Sequence, residues 1–208
     1  MPTPLQGSLL DGFGEIELEP LTGVHRRQLD DGAWVDLRPG WLRGADELFE
    51  RLAGEVPWCA ERRPMYDRIV DVPRLLSFYG ESDSLPDPIL DRARDALTEH
   101  YRPELGEPFR TAGLCYYRDG RDSVAWHGDT IGRGATHDTM VAILTLGAPR
   151  PLLLRHRSGG SALRFHPGHG DLFVMGGSCQ RTWEHAVPKT RKAVGPRISI
   201  QFRPRGVR

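Results

Sequence analysis

From residue 112 to residue 203 the chain breaks into seven short runs rich in apolar and β-branched residues, each closed by turn residues. They are Ala112–Arg118, Thr139–Leu146, Pro151–Arg157, Ala162–His166, Asp171–Met175, Arg181–Val187 and Arg197–Arg203. Seven or eight strands at this spacing specify a sandwich or jelly roll, because each run must find pairing partners and bury a face. Gly 24 and Pro 17, about a fifth of the 208 residues, supply the turns that such a fold needs. A chain of this length buries one good core, so one domain is expected.

Upstream the pattern is looser. Residues 1–40 are punctuated by Gly and Pro, and predict an extended segment wrapping the core. Ala45–Ala53 predicts a short helix, with Leu48, Phe49 and Leu52 on one face and Gly54 as its stop. Asp87-Pro88 is an N-cap followed by proline at the first helical position, and opens a helix carrying Ile89, Leu90, Ala93, Ala96, Leu97 and Tyr101 at helical spacing. Between these helices, Glu61–Gly80 interleaves Arg62, Arg63, Arg68 and Arg74 with Tyr66, Phe78 and Tyr79. It predicts a long surface loop or irregular hairpin of the kind that carries function. The expected architecture is mostly β with flanking N-terminal helices (α+β) around a double-stranded β-helix, or jelly-roll, core. Residues 1–56 would be an N-terminal extension and helix, 57–84 a lid, and 110–205 the core.

The chemistry concentrates in a few residues. His127-Gly128-Asp129 and the distant His185 have the composition of a 2-His-1-carboxylate set, which occupies one face of an octahedral iron and leaves the other open. Residues i and i+2 at a strand end point to one side, so His127 and Asp129 arrive together. The 58 residues between His127 and His185 leave room for the strands that bring the second histidine back. His169-Gly170-Asp171 repeats the tripeptide but lies only 16 residues before His185, directly after Pro167-Gly168, and predicts a turn feeding a strand. Downstream, Arg197 to Arg203 alternates, with Arg197, Ser199, Gln201 and Arg203 on one side and Ile198, Ile200 and Phe202 on the other. Arginine offers permanent, bidentate charge for a carboxylate, which suits a dicarboxylate co-substrate such as 2-oxoglutarate. Fe(II), 2-oxoglutarate and O2 are therefore the expected cofactors of an oxygenase.

Net charge is zero, which gives no overall signal for nucleic acid. The balance hides an asymmetry: residues 151–208 carry eleven Lys and Arg against Asp171 and Glu184, leaving +9 there and −9 elsewhere. A basic end of this kind steers anionic partners. Cys59, Cys115 and Cys179 have neither metal-ligand spacing nor a disulfide framework. No apolar run is long enough to span a bilayer and no secretory leader is evident, so a cytoplasmic monomer without membrane association is expected.

The string Leu114–Asp129, with Tyr117 ten residues before His127, resembles the AlkB family of nucleic-acid demethylases. So do His185 followed by Pro188 and Arg197-x5-Arg203, and Val72-Pro73-Arg74 with Tyr79-Gly80, which resembles that family's nucleotide-recognition lid. The similarity covers roughly residues 57–205. It implies iron on His127, Asp129 and His185, and the distal carboxylate of 2-oxoglutarate on Arg197 and Tyr117. Ser199 would lie beside them, with Arg203 near the chelating end. It further implies alkylated DNA or RNA as substrate, demethylated with release of succinate, CO2 and formaldehyde. Tyr66, Arg74, Phe78 and Tyr79 would contact the base and its phosphates. Three positions depart from the family pattern: Cys115 and Ser199 stand where Asn is usual, and Thr130-Ile131-Gly132 stands where an acidic base reader is usual. The alternatives are a 2-oxoglutarate-dependent hydroxylase of a protein or small molecule, or a non-catalytic jelly-roll metal-binding module.

Overall fold

A computed structural model of the chain describes residues 15–65 and 68–207, and the side chains of 63–70 are excluded. In chain order the elements are β1 (Glu17–Leu18), β2 (His25–Gln28), β3 (Ala33–Arg38), β4 (Leu42–Arg43), α1 (Ala45–Glu55), β5 (Cys59–Met65), β6 (Arg68–Tyr79) and α2 (Pro88–Leu105). The second half runs β7 (Phe109–Tyr117), β8 (Val124–His127), β9 (Val141–Gly147), β10 (Leu152–His156), β11 (Leu163–Phe165), β12 (Leu172–Gly177), α3 (Cys179–Thr182), β13 (Trp183–Val187) and β14 (Arg197–Pro204).

Two antiparallel sheets face each other. The large one has the order β2-β3-β12-β9-β14-β7-β6-β5, and the small one β11-β10-β13-β8. Side-chain alternation gives the large sheet two apolar faces. Its outer face (Ala112, Leu114, Ala142, Leu144, Leu146, Ile198, Ile200 and Phe202) is covered by Leu48 and Leu52 of α1 and by Leu90, Ala93 and Leu97 of α2. Its inner face sets Tyr117, Val141, Ile143, Phe173 and Met175 against Leu152, Leu154, Trp183 and Val187 of the small sheet. Burial on both faces is why β9 is an almost unbroken apolar run. The jelly-roll core is as expected.

The capping expectation for α2 holds: the Asp87 carboxylate accepts the Ile89 N–H at 3.0 Å, and Pro88 follows at the first helical position. Helix α1 continues past the expected stop at Gly54 to Glu55.

Two expectations need correction. Part of the segment expected to wrap the core is two strands of the large sheet, β2 and β3, with β3 paired to β12 through Leu172 opposite Arg38 to Gly177 opposite Ala33. Residues 1–14 lie outside the described residues. The charge pattern hid these strands, because Asp36 is buried in the middle of β3. Its carboxylate is paired with Arg26 at 2.8 Å and accepts the Tyr101 hydroxyl at 2.9 Å, so a charge that suggests solvent is neutralised inside the fold. The second concerns residues 61–80, expected as a surface loop or an irregular hairpin: the hairpin alternative holds, since β5 and β6 pair with a register shift between Ala60 and Arg62, and the surface-loop alternative does not. β5 pairs β6, and β6 pairs β7 from Leu75 opposite Tyr116 to Tyr79 opposite Ala112. Pro64 argues against a central strand, yet β5 is the sheet edge, where a missing N–H is tolerated.

Candidate active site

The four-residue strand β8 does not stand out in the sequence, and it is what closes the site. β8 pairs β13 with His127 directly opposite His185, which joins residues 58 positions apart. Their rings lie 4.2 Å apart between centroids. Just beyond the strand end, Asp129 brings Oδ1 to 3.9 Å from His127 Nε2. One ligand atom from each of the three residues falls within a 4.8 Å group, and among the described residues this is the group that could hold a metal ion.

The electrostatics suit a cation. His127 Nδ1 contacts the Ala125 carbonyl at 2.8 Å, and a carbonyl only accepts, so Nδ1 carries the proton and Nε2 keeps the free lone pair. Burial, reinforced by His127, pushes His185 down to about 3, which keeps it in the neutral, ligating form. Burial alone would raise Asp129, but the adjacent Arg203, together with His185 and His127, holds it down to about 2. Arg203 Nε donates to Asp129 Oδ2 at 2.6 Å. The Asp129 amide donates to the buried Gln180 side chain at 2.9 Å, a support the sequence reading missed.

Gly128 is required by space. A Cβ there would lie 2.6 Å from the Gln180 carbonyl oxygen and 2.7 Å from Arg157 Nη2, so the loop presenting Asp129 would have to move. Gly128→Ala is expected to lower metal affinity at least roughly tenfold, the scale seen when the surroundings of a ligand are disturbed. Metal titration checks this, with Gly54→Ala, whose Cβ would meet nothing within 4 Å, as an unaffected control.

The inner face of β14 continues the site. Across the β14–β7 ladder, Arg197 is opposite Tyr117, Ser199 opposite Cys115, Gln201 opposite Gly113 and Arg203 opposite Thr111. Arg197 is only 2% exposed, sits 5.3 Å over the Tyr117 ring, and leaves Nε and Nη1 buried without a partner. Burial pushes its pKa down. A buried guanidinium with two nitrogens unpartnered and no ion pair among the described residues is costly until an anion arrives, though Tyr117 offsets part of that cost. The residues therefore fit 2-oxoglutarate, with Arg197 for one carboxylate and Arg203 beside the metal ligands for the other end. Gly113 leaves room for this, since a Cβ would be 3.0 Å from Arg203 Nη1.

Arg150 is a further basic residue the sequence did not single out. It is 1% exposed, donates to the carbonyls of Asp119, Asp122 and Pro188 at 2.8–2.9 Å, and lies 5.9 Å from the Tyr117 ring. A lone arginine between prolines carries no sequence signal for such a role.

The second His-Gly-Asp copy is committed elsewhere. His169 Nδ1 accepts the Gly147 amide at 2.7 Å, and Asp171 accepts the amides of Gly40 and Gly168 at 2.8 and 2.6 Å. Gly170, at φ 78°, makes the turn into β12.

The lid residues separate. Phe78 is half exposed and shares the inner face with Gly113, which it opposes. Tyr79 turns the other way and packs, partly buried, against the helix-side core, away from the face that carries Phe78. Arg74 points inward, donating from Nη1 to the Ser123 carbonyl at 3.1 Å, rather than outward to solvent. Tyr66 lies outside the described residues.

A triad on the small sheet facing an arginine pair on the large one defines an iron and 2-oxo-acid site, and comparison with known proteins agrees. Residues 77–203 match the 2OG-Fe(II) oxygenase superfamily. The chain is 31% identical to alpha-ketoglutarate-dependent dioxygenase alkB homolog 3 of Bos taurus and 30% identical to that of Homo sapiens, in each case over 93% of this chain and 70% of the relative. It is 26% identical to the DNA oxidative demethylase ALKBH2 of Homo sapiens over 76% of this chain and 68% of the relative. The solved structure of OsALKBH1 superposes with a TM-score of 0.59 at 16% identity, covering 85% of this chain and all of that one, which speaks for the fold. The chain belongs to the AlkB family of 2OG-Fe(II) dioxygenases. Its cofactors are Fe(II), 2-oxoglutarate and O2.

Proposed function

We propose that the chain oxidatively demethylates alkylated bases of DNA or RNA. The balance is one N-methyl group, one 2-oxoglutarate and one O2 converted to the N–H base, formaldehyde, succinate and CO2. Bound iron with 2-oxoglutarate supplies the C–H oxidation. The protein's own part is positional. His127, Asp129 and His185 would hold the metal on one face, Arg197 would fix the far carboxylate, and Arg203 orients Asp129.

The observation that carries this reading is an open groove of about 400 Å³ whose lining includes Phe78, Glu81, Thr111, Ile131, Gly132 and Val207. It adjoins the loop just after Asp129 and the Thr111–Arg203 pair that reaches it. Phe78 and Ile131, 50% and 71% exposed, are apolar flanks at its mouth. A base taken out of its stack needs such a surface, and stacking on an aromatic contributes about 1–3 kcal/mol. Phe78→Ala is expected to lower kcat/KM on a methylated oligonucleotide roughly 5- to 150-fold while leaving substrate-free 2-oxoglutarate turnover intact.

Positions 130–132 carry no acidic residue, and the acidic residue that does line the groove, Glu81, is paired with Arg205, which favours the second reading, a hydroxylase of a protein or small molecule. A mass-spectrometric screen of methylated oligonucleotides with a salt titration separates the two. Nucleic-acid binding through two or more phosphates gives a log–log salt slope steeper than about −1.4 on single strands. Salt-insensitive binding, or no demethylated product from any DNA or RNA, would favour the second.

A further inference from the structure

The hairpin arginine Arg74 stands where a phosphate contact is expected, yet its surroundings are those of the co-substrate. In the β6–β7 ladder Leu75 is opposite Tyr116 and Leu76 opposite Cys115, which puts Arg74 level with Tyr117. Tyr117 is in turn opposite Arg197 on β14. Arg74, Tyr117 and Arg197 thus form one row across three adjacent strands, at the end of the inner face away from Arg203.

Arg74 and Arg197 share an unmet need. Arg74 Nε is buried without a partner, as are Nε and Nη1 of Arg197. Arg150, the third guanidinium around Tyr117, also has a buried Nε without a partner but uses both terminal nitrogens on backbone carbonyls. Arg74 has one such bond, to Ser123, and neither Arg74 nor Arg197 forms an ion pair among the described residues. Cys115 acts on Arg74 through charge and a side-chain hydrogen bond, and Tyr117 and then Glu61 act on it through charge. A second cation beside Arg197, with no ion pair among the described residues, is an arrangement completed by an anion reaching both.

We propose that Arg74 is a co-substrate residue: with Arg197 it binds the distal carboxylate of 2-oxoglutarate, one guanidinium from each side of Tyr117. Arg74 then ties the lid hairpin to the co-substrate, so a bound 2-oxoglutarate braces the strand that carries Phe78. The assignment rests on the co-substrate alone and is independent of which methylated molecule is attacked.

Calorimetric titration of the Mn(II)-loaded protein under anaerobic conditions tests it. Arg74→Gln is expected to raise the Kd for 2-oxoglutarate at least tenfold, and Arg74→Lys, which keeps the charge, by less. The decisive comparison is 2-oxopentanoate, which keeps the chelating end and lacks the distal carboxylate; it is expected to bind wild type and both variants alike. Unchanged 2-oxoglutarate affinity in either folded variant would overturn the proposal. So would equal weakening of both ligands, which would mark a structural role. A shallower salt slope for oligonucleotide binding with 2-oxoglutarate affinity retained would return Arg74 to the phosphates.

Discussion

His185→Ala is expected to abolish iron-dependent turnover, whereas His169→Ala leaves most of it. His185 lies opposite His127 in the β8–β13 ladder and is kept neutral by burial, while His169 is bonded to the Gly147 amide at the far end of β9. Losing even the outer partners of a metal ligand costs about 10- to 100-fold, so losing the ligand itself should exceed a hundredfold. His169→Ala removes one hydrogen bond, worth about 1 kcal/mol of stability. Succinate formation at saturating iron and 2-oxoglutarate, with iron content measured beside it, reads both variants. The reverse pattern would move the metal to the second His-Gly-Asp copy.

Arg197→Ala is expected to raise the KM for 2-oxoglutarate by on the order of a hundredfold, corresponding to about 3 kcal/mol for removing one member of a buried charge pair. The effect should fall on KM, because Arg197 stands six residues along β14 from Arg203, the arginine bonded to Asp129. Oligonucleotide affinity should change little. A KM unchanged within twofold would place the distal carboxylate elsewhere.

The chemistry was more legible than the architecture that delivers it. His127, Asp129, His185, Arg197 and Arg203 could be chosen from spacing because metal and carboxylate chemistry restrict residue type severely. The later strands were legible from turn punctuation, and α2 from Asp87-Pro88. What escaped depends on register or on partners distant in sequence. β3 was obscured by Asp36, whose partners Arg26 and Tyr101 come from β2 and from α2, 65 residues on. That this hairpin forms the edge of the large sheet was obscured by Pro64 and by its charge. Phe78 and Tyr79 were both read as base contacts, and only the pairing with Gly113 and Ala112 puts them on opposite faces and shows which face meets the site. Arg74 and Arg150 had the appearance of surface charge until neighbouring strands enclosed them.

The most direct measurement of the central claim is the ratio of formaldehyde to succinate, quantified in one reaction with a methylated oligonucleotide and again without it. Adding the oligonucleotide should stimulate succinate formation, with one formaldehyde and one demethylated base for each additional succinate. The same additional products should vanish in His127→Ala. Oligonucleotides that leave succinate at the uncoupled rate and yield no formaldehyde, across methylated DNA and RNA alike, would contradict the demethylase.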